Sequence, residues 1–264
     1  MNKLNKLGKK FMQIIICLRT YSPAFMYLIP ILVYILCSWS MSLLACLNRL
    51  LLIVYSSLTA FLAFNVCKRY SLQGSFGISF TLLFFGLAFL SIREILGMPA
   101  CFSLYVDSSE DIQVYANIMK FDGTVLLVAA LLIYLRIIGR AIDKAVLTFS
   151  TTFAAITAYL LYALFSSTSH HFTGAGNLIL GYALLDVLLV ALSTLILGAF
   201  LAGKLALSWL FISIGFICRA FFDVTFFSLA SMSRISLETS PINLLSQYSY
   251  VAIGWGLWLH RREL

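Results

Sequence analysis

Residues 176–202 read GNLILGYALLDVLLVALSTLILGAFLA, a stretch in which Asp186 is the only charged side chain. About 20 consecutive apolar residues cross the hydrocarbon core of a bilayer as an α-helix, so this stretch predicts a transmembrane helix. The composition agrees, because 62% of the 264 residues are hydrophobic and only 11% are charged. A soluble domain carries about 25% charged residues. The sequence therefore excludes a soluble enzyme and predicts a polytopic membrane protein.

Seven further apolar runs accompany this stretch and predict an all-α membrane bundle of about eight transmembrane helices. We predict the helices at 23–44, 49–67, 76–97, 119–139, 145–167, 176–202, 206–230 and 243–259. Asn48 and Arg49 mark the predicted break between the first two. The predicted organisation is a basic amphipathic segment at 1–22, which lies on the membrane surface, followed by a single transmembrane domain at 23–264.

The distribution of basic residues predicts the orientation of this bundle. With both termini in the cytoplasm, Arg49, Lys120 and Arg234 fall on the outer side and a much larger set falls on the inner side, as the positive-inside rule requires. The net charge of +8 is therefore assigned to lipid head groups and not to nucleic acid. We predict a multi-pass protein of the cell membrane. The inner set comprises Lys3, Lys6, Lys9, Lys10, Arg19, Lys68, Arg69, Arg136, Arg140, Lys144, Lys204, Arg261 and Arg262.

Charged side chains inside the predicted helices are the candidates for function, because each costs a few kcal/mol in the hydrocarbon layer. Arg219 and Asp223 are four residues apart, which places them on one helical face within pairing distance. A pocket that opens outward could be formed by these charges and nearby tyrosines. The alternative is a salt-bridge network that only fixes helix packing. The candidate ligand or ion site comprises Asp186, Asp223, Arg219, Arg93, Glu94 and Tyr182, with Tyr248 and Tyr250 as further hydrogen-bonding candidates.

Asp186 is the strongest of these candidates. It lies about ten residues, or about 15 Å, into its helix, and no basic residue stands three or four positions away on the same helix. No motif for a metal, a cofactor or a catalytic nucleophile accompanies it. We therefore predict no metal site, no cofactor and no catalytic residue, and a polar pocket around Asp186 instead.

Residues 181–258 resemble the last three helices of prokaryotic seven- to eight-helix membrane sensor modules. The resemblance rests on YALLD at 182–186, RAFFD at 219–223 and LLSQYSYVAIGW at 244–255. It implies that Asp186 and Asp223 match the intramembrane aspartates of those modules. Such modules usually precede a PAS, GGDEF or histidine-kinase domain, whereas this sequence ends at Leu264. Signalling would then pass to a separate partner protein.

Three functions are consistent with the sequence. The first is an integral membrane module that resembles a sensor, or a subunit of a larger membrane complex, without its own output domain. Its partners would be the bilayer, another membrane or cytoplasmic protein, and a small-molecule or lipid ligand. The second is a small transporter with an intramembrane Arg/Asp site. The third is an intramembrane lipid-processing enzyme in which Asp186 and Asp223 act as acid and base.

Overall fold

The structure is a computed structural model that describes residues 26–70, 74–97, 110–139, 142–168, 176–200, 205–231 and 239–263. Within these ranges the chain is entirely helical apart from short turns, which confirms the predicted all-α class. The amphipathic segment predicted at 1–22 lies outside the described residues. The eight described helices are α1 (Met26–Cys37), α2 (Met41–Tyr70), α3 (Ser75–Leu96), α4 (Glu110–Ile138), α5 (Lys144–Thr168), α6 (Gly176–Phe200), α7 (Ala206–Ser231) and α8 (Asn243–Glu263).

Two predicted boundaries are wrong, and both errors concern polar residues. The break between the first two helices lies at 38–40 and not at Asn48 and Arg49, which both lie inside α2. Ser40 precedes the first residue of α2, in keeping with the preference for serine at helix N-caps. The fourth helix begins at Glu110 and not at 119, so Lys120 lies about three turns into α4 and not at its outer end.

Six of the helices form a closed ring. In order around the ring, α2 packs on α3, α3 on α4, α4 on α6, α6 on α7, α7 on α8, and α8 on α2. α5 lies outside the ring against α6 and α7. α1 contacts α2 and α8, since Tyr55 of α2 donates a hydrogen bond to the Met26 carbonyl and Tyr248 of α8 donates one to the Tyr27 carbonyl. The interior of the ring is therefore enclosed by side chains from six helices.

Glycines bring neighbouring helices of the ring into backbone contact. A Cβ atom on Gly86 of α3 would lie 2.8 Å from the Gly123 carbonyl oxygen of α4, and one on Gly123 would lie 2.9 Å from the Gly86 carbonyl oxygen. Likewise, a Cβ atom on Gly256 of α8 would lie 2.6 Å from the Ser208 carbonyl oxygen of α7. These distances are too short for any side chain, so α3 with α4 and α7 with α8 form interlocked pairs.

The outer surface of the bundle is apolar. Large hydrophobic side chains such as Phe61, Phe149 and Tyr159 are more than half exposed. Four described helices are long and apolar enough to cross a membrane: Met41–Tyr70, Ser75–Leu96, Val114–Ile138 and Ala206–Phe226. An apolar surface of this extent suggests that lipid and not water surrounds the bundle. Eight membrane crossings and cytoplasmic termini stay predictions.

Candidate ligand site

Charged residues from several helices meet inside the ring, near the end of the bundle where α3 ends and α4 begins. We call this the Glu94 end. Counted at 1.5 Å per residue, Arg49 lies about 12 Å from the start of α2, and Lys120 and Asp186 lie about 15 Å from the starts of α4 and α6. All six ring helices contribute to the group. The residues that we call the charge cluster are Arg49, Arg93, Glu94, Lys120, Asp186, Arg219, Asp223 and Tyr250.

Glu94 holds the outer part of the charge cluster together. Its side chain is 1% exposed, and its Oε1 atom accepts a hydrogen bond of 2.8 Å from Arg93 Nη1. Its Oε2 atom lies 3.5 Å from Arg49 Nη1, which is within ion-pair range. The two arginine side chains are 22% and 21% exposed. The cluster is thus accessible past Arg49 and Arg93, and we call this side the mouth.

Tyr250 connects the mouth to the interior of the cluster. Its hydroxyl group donates to Glu94 Oε1 at 3.2 Å and accepts a hydrogen bond of 3.1 Å from Arg219 Nη1. The side chain of Tyr250 is fully buried. One phenol therefore links α3, α7 and α8, and a single hydroxyl group stands between Glu94 and Arg219.

Asp223 is the anionic centre of the interior. Its Oδ1 atom accepts a hydrogen bond of 2.6 Å from Lys120 Nζ, and both side chains are almost completely buried. Its Oδ2 atom lies 4.0 Å from Arg219 Nε on the same helix. The i,i+4 contact that the sequence predicts therefore exists, but Lys120 of α4 is the closer partner.

Asp186 of α6 lies beside Asp223. The residue is 2% exposed, and the Asp223 carboxyl group is its strongest electrostatic neighbour. Lys120 and Arg219 are the nearest basic neighbours of Asp186. Two acidic groups on adjacent helices thus face each other in the enclosed part of the cluster.

Several buried polar atoms of the cluster have no hydrogen-bond partner among the described residues. They are Glu94 Oε2, Asp186 Oδ2, Arg219 Nε and Asp223 Oδ2. Glu94 Oε2 lies 3.5 Å from Arg49 Nη1, and Arg219 Nε lies 4.0 Å from Asp223 Oδ2, so these atoms have ion-pair contacts but no hydrogen bond. Leaving a buried polar atom unpaired costs about 1–3 kcal/mol. A purely structural salt-bridge network would be expected to pair such atoms, so they favour a site that receives a further polar group.

The sequence analysis placed five of these residues in one pocket, and the structure brings Arg93, Glu94, Asp186, Arg219 and Asp223 together. Tyr182 borders the cluster. Its hydroxyl group donates a hydrogen bond of 2.7 Å to the Asn117 carbonyl, and the centre of its ring lies 4.8 Å from Lys120 Nζ. Tyr250 belongs to the cluster, whereas Tyr248 turns outward to Tyr27 on α1.

Two cations of the cluster, Arg49 and Lys120, were missed because the sequence analysis placed both on the outer side of the membrane, at the very start of their predicted helices. For Lys120 a signal was present: Glu110 and Asp111 are the acidic residues typical of a first helical turn, and a helix that starts there includes Lys120. For Arg49 no such signal exists, because its partner Glu94 lies on another helix.

The opposite end of the ring is filled by aromatic side chains. His260 of α8 is fully buried, accepts or donates a 2.9 Å hydrogen bond with the Tyr70 hydroxyl, and packs 5.0 Å from the Phe80 ring. It follows the predicted transmembrane part of α8, which ends at 259. Burial, with a smaller contribution from Arg69, lowers the pKa of His260 to about 4. Trp209 and Tyr134 complete this aromatic layer, which fills the end of the ring opposite the charge cluster. We call it the His260 end.

Within the described ranges, no group of three or more His, Cys, Asp and Glu residues is arranged to hold a metal ion. The chemistry available in the cluster is therefore that of guanidinium, ammonium, carboxyl and phenol groups. No protein-family model matches this chain, and no curated protein and no solved structure shows significant similarity to it. The assignment of a function thus rests on the geometry of the charge cluster.

Proposed function

We propose that this protein is an integral membrane module of the sensor type, which binds a small polar ligand in the charge cluster and passes the bound state to a separate partner protein. One observation carries the proposal: the cluster takes a side chain from each of the six ring helices. A ligand at this position would change contacts on several helices at once. Ligand binding can shift a conformational equilibrium only through such differential contacts.

Asp186, Arg219 and Asp223 each have a buried polar atom without a hydrogen bond, which supports a binding role over a packing role. The interlocked pairs α3 with α4 and α7 with α8 support rigid-body movement of helix pairs as the response. Movements of about 1–2 Å between packed helices are a known form of such switching. A transporter would also need access to the cluster from the His260 end, which the layer around Trp209 fills.

The third hypothesis, a lipid-processing enzyme, is favoured by one specific contact. Asp186 and Asp223 are neighbouring carboxyl groups on α6 and α7, so one could accept a proton while the other donates one, as general acid–base catalysis requires. Lys120 would keep Asp223 ionised through its 2.6 Å hydrogen bond. An enzyme of this kind should co-purify with a lipid together with its cleavage product.

The experiment compares what co-purifies with the wild type, with Asp186→Asn and with a matched control. Ser193→Ala is the control, because Ser193 is also fully buried on α6 but its hydroxyl group, which the substitution removes, donates to the Val190 carbonyl of the same helix. Each protein is purified in mild detergent and denatured, and the released molecules are identified by mass spectrometry.

We expect a polar molecule that is released from the wild type and from Ser193→Ala and is lost from Asp186→Asn, while all three proteins express equally. The same set of molecules from all three would contradict the proposal. Recovery of a lipid together with its cleavage product, lost only in Asp186→Asn, would favour the enzyme instead.

A further inference from the structure

The balance of charge in the cluster bears on the class of ligand. Arg49, Arg93, Lys120 and Arg219 supply four positive charges, against three acidic side chains. Asp122, a neighbouring acidic residue of α4, is exposed and lies on the outside of the bundle. Among the described residues, the charge cluster therefore has one more basic than acidic side chain, and the excess lies at the mouth, where Arg49 and Arg93 face the single carboxylate of Glu94.

Buried charge without compensation is costly, so an excess of this kind favours the entry of a counter-ion. The position of the cations indicates a path. Arg49 and Arg93 are the partly exposed members at the mouth, and Arg219 is buried behind them with no hydrogen bond at its Nε atom. An anion that enters between the two outer guanidinium groups would meet a third one further in.

We propose that the charge cluster binds an anionic group, a carboxylate or a phosphate, and that Glu94 occupies part of this anion site when no ligand is present. Glu94 already binds as such a ligand would: its carboxylate contacts both mouth arginines and the Tyr250 hydroxyl, which in turn contacts Arg219. Guanidinium groups suit this role because their donors match the geometry of carboxylate and phosphate oxygens. The inference deepens the proposed function and rests on it.

In this arrangement Glu94 competes with an anionic ligand for the same arginines. This competition predicts the direction in which each variant changes the affinity for anions. Glu94→Gln removes the competing charge but keeps the size of the side chain, so anions should bind more tightly. Arg93→Gln removes one donor of the site, so anions should bind more weakly. Because a hydrogen bond to a charged group contributes about 1.5–3 kcal/mol, each change is expected to be about tenfold or more in apparent affinity.

The measurement is the thermal shift of the full chain, purified in an uncharged detergent, during titration with inorganic phosphate, acetate or a short-chain phosphatidic acid. Choline chloride serves as the cationic probe, and ionic strength is matched throughout. Arg262→Gln is the control variant, because Arg262 stacks on Trp258 at the other end of α8. We expect the anions to raise the melting temperature to a saturating value. The anion concentration that gives half of this effect should be about tenfold lower in Glu94→Gln, about tenfold higher in Arg93→Gln and unchanged in Arg262→Gln.

The two sources of an anion are separated by the probes. Stabilisation by phosphatidic acid alone would identify a lipid head group, and stabilisation by phosphate or acetate a free anion. If Glu94→Gln does not fold, the wild type and Arg93→Gln still decide, because Arg93 is partly exposed. No anion effect on the wild type, or an effect equal in all variants, would overturn the inference. Stabilisation by choline alone would also overturn it, yet would leave the proposed ligand-binding function intact.

Discussion

Replacing Asp223 with asparagine tests how the interior of the charge cluster is held together. The substitution keeps the shape of the side chain but removes the carboxylate charge that lies 2.6 Å from the almost fully buried Lys120 ammonium group. Removing one partner of a buried ion pair costs about 3–5 kcal/mol. For a chain of this size, each kcal/mol lowers the melting temperature by about 2–4 °C, so we expect a decrease of about 6–20 °C. Thermal unfolding in detergent, followed by tryptophan fluorescence, measures it.

Double substitutions identify which cation depends on Asp223. Lys120→Met replaces the ammonium group with an apolar chain of similar length, and in combination with Asp223→Asn it should recover about 0.5–3 kcal/mol relative to additive losses. Arg219→Gln combined with Asp223→Asn should recover less stability. Arg219 Nε lies 4.0 Å from Asp223, and in the single variant Asp223→Asn the guanidinium group still donates to Tyr250. Additive losses with Lys120→Met, or equal recovery with Arg219→Gln, would refute the assignment of Lys120 as the main partner.

Three further predictions concern packing, protonation and topology. Gly86→Val should lower stability by about 1–3 kcal/mol through overpacking, because a Cβ atom there would lie 2.8 Å from a carbonyl oxygen of α4, whereas Gly139→Ala, which meets nothing within 4 Å, should be neutral in the same melting assay. His260 has a folded pKa of about 4 against about 6.5 when unfolded, so stability should be constant above pH 6.5 and fall by up to about 3 kcal/mol as the pH drops to 4; His260→Gln should abolish this slope, and an identical slope in that variant would contradict the assignment. Cysteine labelling of intact cells should reach Ser38→Cys from outside and Asp143→Cys only after permeabilisation; the reverse pattern would invert the predicted topology.

The sequence was sufficient to predict the helical class and the approximate position of each helix, because long apolar runs have few structural alternatives. Its errors at Arg49 and Lys120 have a common physical cause. A hydropathy pattern treats a charged residue as an interruption, but a charge is tolerated inside a helix when another helix supplies its partner. Those partners, Glu94 and Asp223, stand 45 and 103 positions away in the sequence, so local patterns could not reveal them.

The sequence analysis identified most residues of the candidate site but not the contacts between their side chains. The high cost of charge in the hydrocarbon layer was enough to single out Asp186, Arg219 and Asp223. The contact between the two aspartates depends on the packing of α6 on α7, and the role of Tyr250 depends on the closure of the ring by α8 on α2. Such contacts arise only when distant helices assemble, and a single sequence carries no record of them.

Closure of the ring is the claim on which the charge cluster depends, and a disulfide bond between α2 and α8 tests it most directly. A Cβ atom on Gly254 would lie 3.8 Å from the Cβ atom of Thr59, which is the mean separation in disulfides. In a background without the six native cysteines, Thr59→Cys with Gly254→Cys should form this bond under mild oxidation. Mass spectrometry should find the two cysteine peptides linked within one chain. Two free thiols in a folded, correctly inserted protein would contradict a closed ring and remove the enclosure around the charge cluster.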